Sequence, residues 1–324
     1  MDPAASVAAA IFDPFGYSIP LPLETVVNVL GFPLRLVTNS TDVLTATQES
    51  WSGFPQLFND YSLEFRVLIS GNERAQRPEG IVWRAQKHLM TVVSDQENYA
   101  VCDLDRGFAS FWLPPATARD HDFFRRYYLN NVVELILWHS RLTLIHAACV
   151  ARNGRGLLLC GESGAGKSCL SFACARRGWT FIGDDCASLV RRSEPMVVGG
   201  PRDVHFRPTA IEILPELQGK LEVLNASGKL GLHMRSNAFP EIRRSVHASV
   251  FAVVFLNRQP HGPARLVPIS AAEAFLRLEP DLPLMEPIED HRASLRHLLS
   301  ASLTFEFRYQ DLDDAVKTLE SLVS

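Results

Sequence analysis

The stretch Leu157-Leu158-Leu159-Cys160-Gly161-Glu162-Ser163-Gly164-Ala165-Gly166-Lys167-Ser168-Cys169-Leu170 decides how the chain is read. Two glycines bracket four residues and are followed by Lys and Ser, the spacing of a phosphate-binding P-loop (Walker A). The context fits. Gly156–Cys160 is an apolar run of buried-strand character, and Cys169–Ala175 reads as a helix of small residues. A strand, a glycine loop and a helix start let successive backbone N–H groups curl around a phosphate. The expected nucleotide-binding set is Gly161, Glu162, Ser163, Gly164, Ala165, Gly166, Lys167, Ser168 and Cys169. Lys167 would reach the β- and γ-phosphates as a point charge, and Ser168 would offer its hydroxyl to Mg²⁺.

At 324 residues the chain is long enough for two domains, and 47% hydrophobic with 21% charged residues is ordinary for a protein that buries real cores. The net charge of −4 gives no overall attraction to nucleic acid or an anionic membrane, so neither is expected as a partner. Met1–Ser6 lacks a basic stretch and the apolar run Val7–Phe12 is too short for a signal or a span, which points to the cytoplasm. None of the six cysteines forms a C-x-x-C pair. Cys149, Cys160, Cys169, Cys174 and Cys186 lie within or beside the loop core, where a thiol acts as a small hydrophobe in a reducing compartment.

Outward from the loop, Leu142–Ala151 reads as a strand joined through Asn153-Gly154 to the P-loop strand. Asn-Gly between apolar runs is a hairpin signal, so an antiparallel neighbour and a mixed sheet are expected. The loop helix ends at Arg176-Arg177-Gly178, and Trp179–Gly183 reads as a strand running into Asp184-Asp185. Short strands are expected at 188–190, 197–198 and 204–206, a helical turn broken by Pro215 at 210–217, and an irregular, mobile loop at 225–244. Strands at 250–256, 265–268 and 303–309 alternate with helices at 271–278, 287–301 and 311–322. Upstream, 32–113 reads as β-rich, with strands at 33–37, 63–69, 80–84, 89–93, 99–104 and 108–113, after at most a short helix near Leu23–Leu30. Phe123, Phe124, Tyr127, Tyr128, Val132, Leu135 and Ile136 recur at helical spacing over 120–139, a packing stripe. The fold class is therefore α/β: a P-loop core over 116–324 and a smaller β-rich N-terminal domain over 1–115, divided near Pro115.

Adjacent carboxylates at a strand end can both reach a site above it. A Mg·NTP site needs a carboxylate near the metal, and a phosphotransferase needs a base for the attacking hydroxyl. Asp184-Asp185 can supply both, although the residues alone weigh equally for a single metal-side acid beside a capping Asp. His146, one strand upstream, is by itself more simply a satisfied core histidine. Arg202, Arg207, Lys229, Arg235, Arg243 and Arg244 are the downstream cations able to clamp phosphate, with Arg202 and Lys229 preferred, and Glu212 reads as a helix-face residue.

Together, His146, the Gly161–Ser168 loop, Arg177-Gly178 and Asp184-Asp185 resemble, in order and spacing, the catalytic domain of HPr kinase/phosphorylase. More distantly they are similar to the nucleotide half of ATP-dependent phosphoenolpyruvate carboxykinase. The resemblance is specific over 142–192 and does not reach residues 1–115. It implies ATP and Mg²⁺, with Asp184 as proton acceptor, Ser168 and Asp185 as metal ligands, Lys167 on the phosphates and His146 beside the reacting groups. It also implies a hydroxyl-bearing acceptor and a homo-oligomer. The R-G-L-G segment usual in those enzymes is replaced by Gly199-Gly200-Pro201-Arg202-Asp203-Val204-His205-Phe206-Arg207-Pro208. The chain is thus similar to the diverged HPr-kinase-related proteins, whose acceptors include peptides and small molecules. A regulatory ATPase with little transfer is the alternative, and carboxykinase chemistry ranks last.

Overall fold

A computed structural model describes residues 19–71, 80–219, 222–224, 230–235, 238–282 and 287–324. It is a mixed α/β structure that divides into two compact units, 1–140 and 141–324.

The first unit holds a seven-stranded mixed sheet. Its strands are β1 (Leu23–Val29), β2 (Phe32–Thr38), β3 (Leu63–Ile69), β4 (Val82–Gln86), β5 (Leu89–Val93), β6 (Tyr99–Asp103) and β7 (Phe108–Leu113). They lie in the order β1-β2-β3-β7-β6-β5-β4, with β3 parallel to both β2 and β7. The helix expected near residues 23–30 is instead β1. Its Thr25, Val26, Val27 and Val29 are β-branched, and burial deepens on alternate residues toward Val29. Leu30-Gly31 then turns the chain with positive φ at both positions, a hairpin turn without the Asn-Gly signature. Helix α1 (Thr41–Trp51) was not expected. It buries Val43, Ala46, Thr47, Ser50 and Trp51, a helical stripe on which Thr and Ser hide the apolar period.

After Pro114 come α2 (Pro115–Arg119), α3 (His121–Phe124), a π-helical segment at Arg125–Asn130 and α4 (Asn131–Ser140). Within the first unit, Thr117 Oγ1 donates to Asn98 Oδ1 at 2.5 Å, Tyr128 and Ser94 hydroxyls lie 2.7 Å apart, and Arg125 donates to Ser50 Oγ at 3.1 Å.

The second unit is built on a ten-stranded mixed sheet. Expected as one strand, residues 142–151 form two, β8 (Leu142–Ile145) and β9 (Ala147–Arg152), separated at His146. Beyond them lie β10 (Arg155–Cys160), β11 (Thr180–Gly183), β12 (Ala187–Val190), β13 (Met196–Gly199), β17 (Arg243–Arg244), β18 (His247–Arg258), β19 (Arg265–Pro268) and β20 (Leu303–Tyr309). Asn153 and Gly154 adopt φ of 53° and 77°, so β9 and β10 form the antiparallel hairpin that Asn-Gly foretells. The twelve-residue β18 ties the sheet together. Its first residues pair with β13, and its remainder runs parallel to β10 on one side and β20 on the other.

Both faces of β10 are covered, which explains its unbroken apolar run. Leu157 and Leu159 join a core with Phe172, Trp179 and Leu319, while Leu158 and Cys160 join one with Leu278, Leu295 and Leu298. The first layer carries α5 (Lys167–Arg176) and α8 (Leu312–Leu322), the second α6 (Ala271–Leu278) and α7 (Ile288–Ala301). A smaller sheet, β14 (Asp203–Phe206), β16 (Leu230–Arg235) and β15 (Glu222–Leu224), follows the main one. The segment expected to be an irregular loop therefore contains β16 and β17, and its residues 225–229 and 236–237 lie outside the described residues. No helix among the described residues is long and apolar enough to cross a membrane.

Phe172 anchors α5 between the sheets, fully buried and edge-on to Phe206 at 5.4 Å and Phe239 at 5.2 Å. Truncation there leaves a cavity as well as losing apolar burial. Phe172→Ala should lower the stability of the second unit by about 3–5 kcal/mol, read as an earlier urea transition of that unit.

Candidate functional site

The loop between β10 and α5 is shaped by positions only glycine fills comfortably. Gly164 and Gly166 have φ of 98° and 100°. A Cβ on Gly166 would stand 2.6 Å from the hydroxyl of Tyr309, the residue that ends β20. That fully buried hydroxyl donates to the Ala165 carbonyl at 3.1 Å, so β20 props the loop from beneath. A Cβ on Gly164 would meet Arg207 Nη1 at 2.7 Å, and Arg207 Nη2 donates to Ser163 Oγ at 2.7 Å.

Lys167 opens α5 and is only 6% exposed. Its ammonium donates to the carbonyls of Gly161 at 2.6 Å and Glu162 at 3.4 Å, and lies 3.1 Å from His146 Nε2. Burial depresses its pKa; the Asp185 and Asp281 charges pull it back up, while Arg207 lowers it further. An ammonium can only donate, so His146 Nε2 accepts and a neutral ring carries its proton on Nδ1. That nitrogen is 3.4 Å from Asp185 Oδ1. The break between β8 and β9 is what frees His146 from the sheet and brings it to the loop.

The two carboxylates following β11 differ sharply. Asp184 is 6% exposed, whereas the Asp185 side chain is 59% exposed. Asp184 Oδ2 accepts from the His205 amide of β14 at 2.6 Å, and the Ser168 hydroxyl also bonds its carboxyl. Burial nonetheless raises its pKa to about 7, the dominant cause, with the Asp185 charge adding to it and the hydrogen bonds opposing. Hard oxygen donors from Ser168 and Asp185 beside a glycine-rich loop are the type that suits Mg²⁺, which takes one or two protein ligands plus phosphate oxygens. Among the described residues no group of three or more His, Cys, Asp or Glu forms a complete metal cage.

His146, Lys167, Ser168, Asp184 and Asp185 therefore converge. Of the downstream cations, Arg207 bonds to the loop through Ser163, although Arg202 and Lys229 looked better placed in sequence. Lys229 lies outside the described residues, and Arg243 and Arg244 are exposed on β17. Glu212 sits in the 3-10 turn Pro208–Glu212 rather than on a regular helix. Sequence reasoning passed over Tyr309, whose only signal is an aromatic at a strand's carboxyl end, and the His205 amide, which carries none. Burial holds the Cys160 thiol protonated, with its pKa pushed up to about 12.

A carboxyl whose pKa rises from 3.8 to about 7 on folding destabilises the native state as it ionises. Between those values the folded chain binds more protons than the unfolded one, so this group's contribution falls as pH rises toward 7. Asp184→Asn should therefore melt above the parent protein in EDTA at pH 8, by on the order of 5 °C. The gap should shrink toward pH 4, as followed by thermal scans across pH; an equal gap at both ends would refute the burial argument.

No family model matches the chain. It is 31% identical over 111 residues to the HPr kinase/phosphorylase of Geobacillus sp. (strain WCH70), covering 33% of each protein. It is 33% identical over 110 residues to that of Bacillus subtilis (strain 168), covering 34% of this chain and 33% of the relative. The match thus spans about a third of the length of these curated relatives. A solved structure of the HPr(Ser) kinase/phosphatase from Coxiella burnetii aligns at a TM-score of 0.30 and 14% identity, over 55% of this chain and 95% of that one. Over about a third of its length the chain is thus similar in sequence to the HPr kinase/phosphorylases.

Proposed function

We propose that the chain is an ATP-dependent kinase of P-loop type, moving the γ-phosphoryl group of ATP to a hydroxyl on a protein, peptide or small molecule. The observation that carries this reading is a buried carboxyl, Asp184, raised to about 7 and hydrogen-bonded to the P-loop serine, beside a second carboxylate and a buried lysine. A module that only binds nucleotide has no need of a titratable acid held near neutrality. The relatives' name makes a protein acceptor the first to try.

In this account the loop amides and Lys167 hold the β- and γ-phosphates, Arg207 closes over the loop, and Ser168 with Asp185 hold Mg²⁺, which neutralises phosphate charge. Asp184 takes the proton of the acceptor hydroxyl as its oxygen bonds to the γ-phosphorus and the bond to the β–γ bridging oxygen breaks, leaving ADP. His146 spans Lys167 and Asp185 and fixes the orientation of both. The Ser168–Asp184 bond favours a second reading in which the two carboxylates exchange roles, Asp184 serving the metal and Asp185 the proton.

The test is ³¹P NMR of the full chain with Mg·ATP and a panel of acceptors comprising HPr, a serine-ended peptide and free serine. A new phosphomonoester signal is expected. Asp184→Asn should slow its appearance by roughly a hundredfold or more with ATP binding retained, while Lys167→Ala should lose binding as well. If Asp184→Asn instead raises only the Mg²⁺ requirement, the exchanged roles are correct. Unchanged transfer in both Asp184→Asn and Asp185→Asn would sink the kinase reading.

A further inference from the structure

A cavity of about 500 Å³ opens beside α5, lined by neither Asp184 nor Asp185, a volume typical of small-molecule sites. The four stretches that line it each touch the P-loop a few residues earlier. Helix α5 starts at Lys167 and contributes Ala173. The segment that begins with Arg207, bonded to Ser163, contributes Glu212 and Leu214. Strand β18, whose Leu256 carbonyl packs against Gly161, ends in Arg258, and β20, whose Tyr309 holds Ala165, is followed by Gln310.

Strands β10, β18 and β20 are parallel neighbours, and their carboxyl ends are Cys160, Arg258 and Tyr309. Ligands of such sheets lie outside those ends. With phosphates on the loop at the end of β10, the rest of a nucleotide would extend past the ends of β18 and β20, where Arg258 and Gln310 line this cavity.

Its walls contain uncommitted polar groups. Arg176 is paired with Glu216 and Glu241, and Arg177 with Asp313. Arg258, Gln310 and Glu212 are exposed and make no side-chain hydrogen bond or ion pair to a described residue. A guanidinium plane stacks on the π-face of a base, a carboxamide presents a donor and an acceptor to a base edge, and a carboxylate accepts from ribose hydroxyls. Ala173 and Leu214 supply apolar surface.

We propose that this cavity holds the nucleoside end of the triphosphate, with Arg258 and Gln310 on the base and Glu212 on the ribose. The assignment rests on the phosphate-binding reading of the loop. Calorimetric titration of the full chain with Mg·ATP and with Mg·tripolyphosphate separates the two, because tripolyphosphate engages the loop alone. ATP should bind more tightly than tripolyphosphate. The double variant Arg258→Ala/Gln310→Ala should lose about tenfold in ATP affinity with tripolyphosphate binding unchanged, which also shows that the variant is folded. Lys167→Ala should lose both ligands. Equal affinity of the parent protein for both ligands, ATP binding unaltered in the double variant, or parallel loss of both ligands there would overturn the cavity assignment while leaving the loop's role intact. Absence of binding of either ligand to the parent protein would remove the loop reading and this one with it.

Discussion

A buried ammonium is the constraint around which the second unit is arranged. Among the described residues no carboxylate lies within hydrogen-bond range of Lys167, which bonds to the Gly161 and Glu162 carbonyls and lies beside His146. An ammonium in that setting is expensive unless anions or dipoles surround it. The protein supplies dipoles at close range and the Asp185 and Asp281 charges further off. Carbonyl dipoles are weaker partners than phosphate oxygens, so the arrangement holds the lysine ready without neutralising it. The loop glycines, the Tyr309 prop and the His146 break together fix the surroundings of that ammonium.

The same economy governs the carboxylates. Asp184 is held by the His205 amide, so the small sheet built on β14 is tied to the candidate site. Burial that raises its pKa costs stability, and such costs are concentrated where chemistry needs them. Asp185, one residue on, faces solvent and His146. Two adjacent residues at a strand end thus sit in opposite environments.

Much of the second unit was legible because its signals are local. The glycine spacing of 161–168, the Asn153-Gly154 turn and the continuous apolar run of β10 each depend on near neighbours in sequence. The convergence of His146, Lys167 and Asp184-Asp185 was suggested by order and resemblance, not by periodicity. What escaped was decided by distant contacts. Tyr309 reaches the loop across 144 residues and the His205 amide reaches Asp184 across 21. Arg207 was one of six similar cations until the fold laid it over Gly164. In the first unit, β1 was masked by the prolines preceding it and α1 by the hydroxyl residues on its buried face.

The central claim is that the Lys167 cradle exchanges its own carbonyls for phosphate. A crystal structure of the full chain with Mg²⁺ and a non-hydrolysable ATP analogue tests it directly. The account predicts the β- and γ-phosphates within the curl of residues 161–168, with the Lys167 ammonium moved from the Gly161 carbonyl to a phosphate oxygen. A nucleotide bound elsewhere, or a Lys167 that keeps its carbonyl partners with phosphate present, would contradict it.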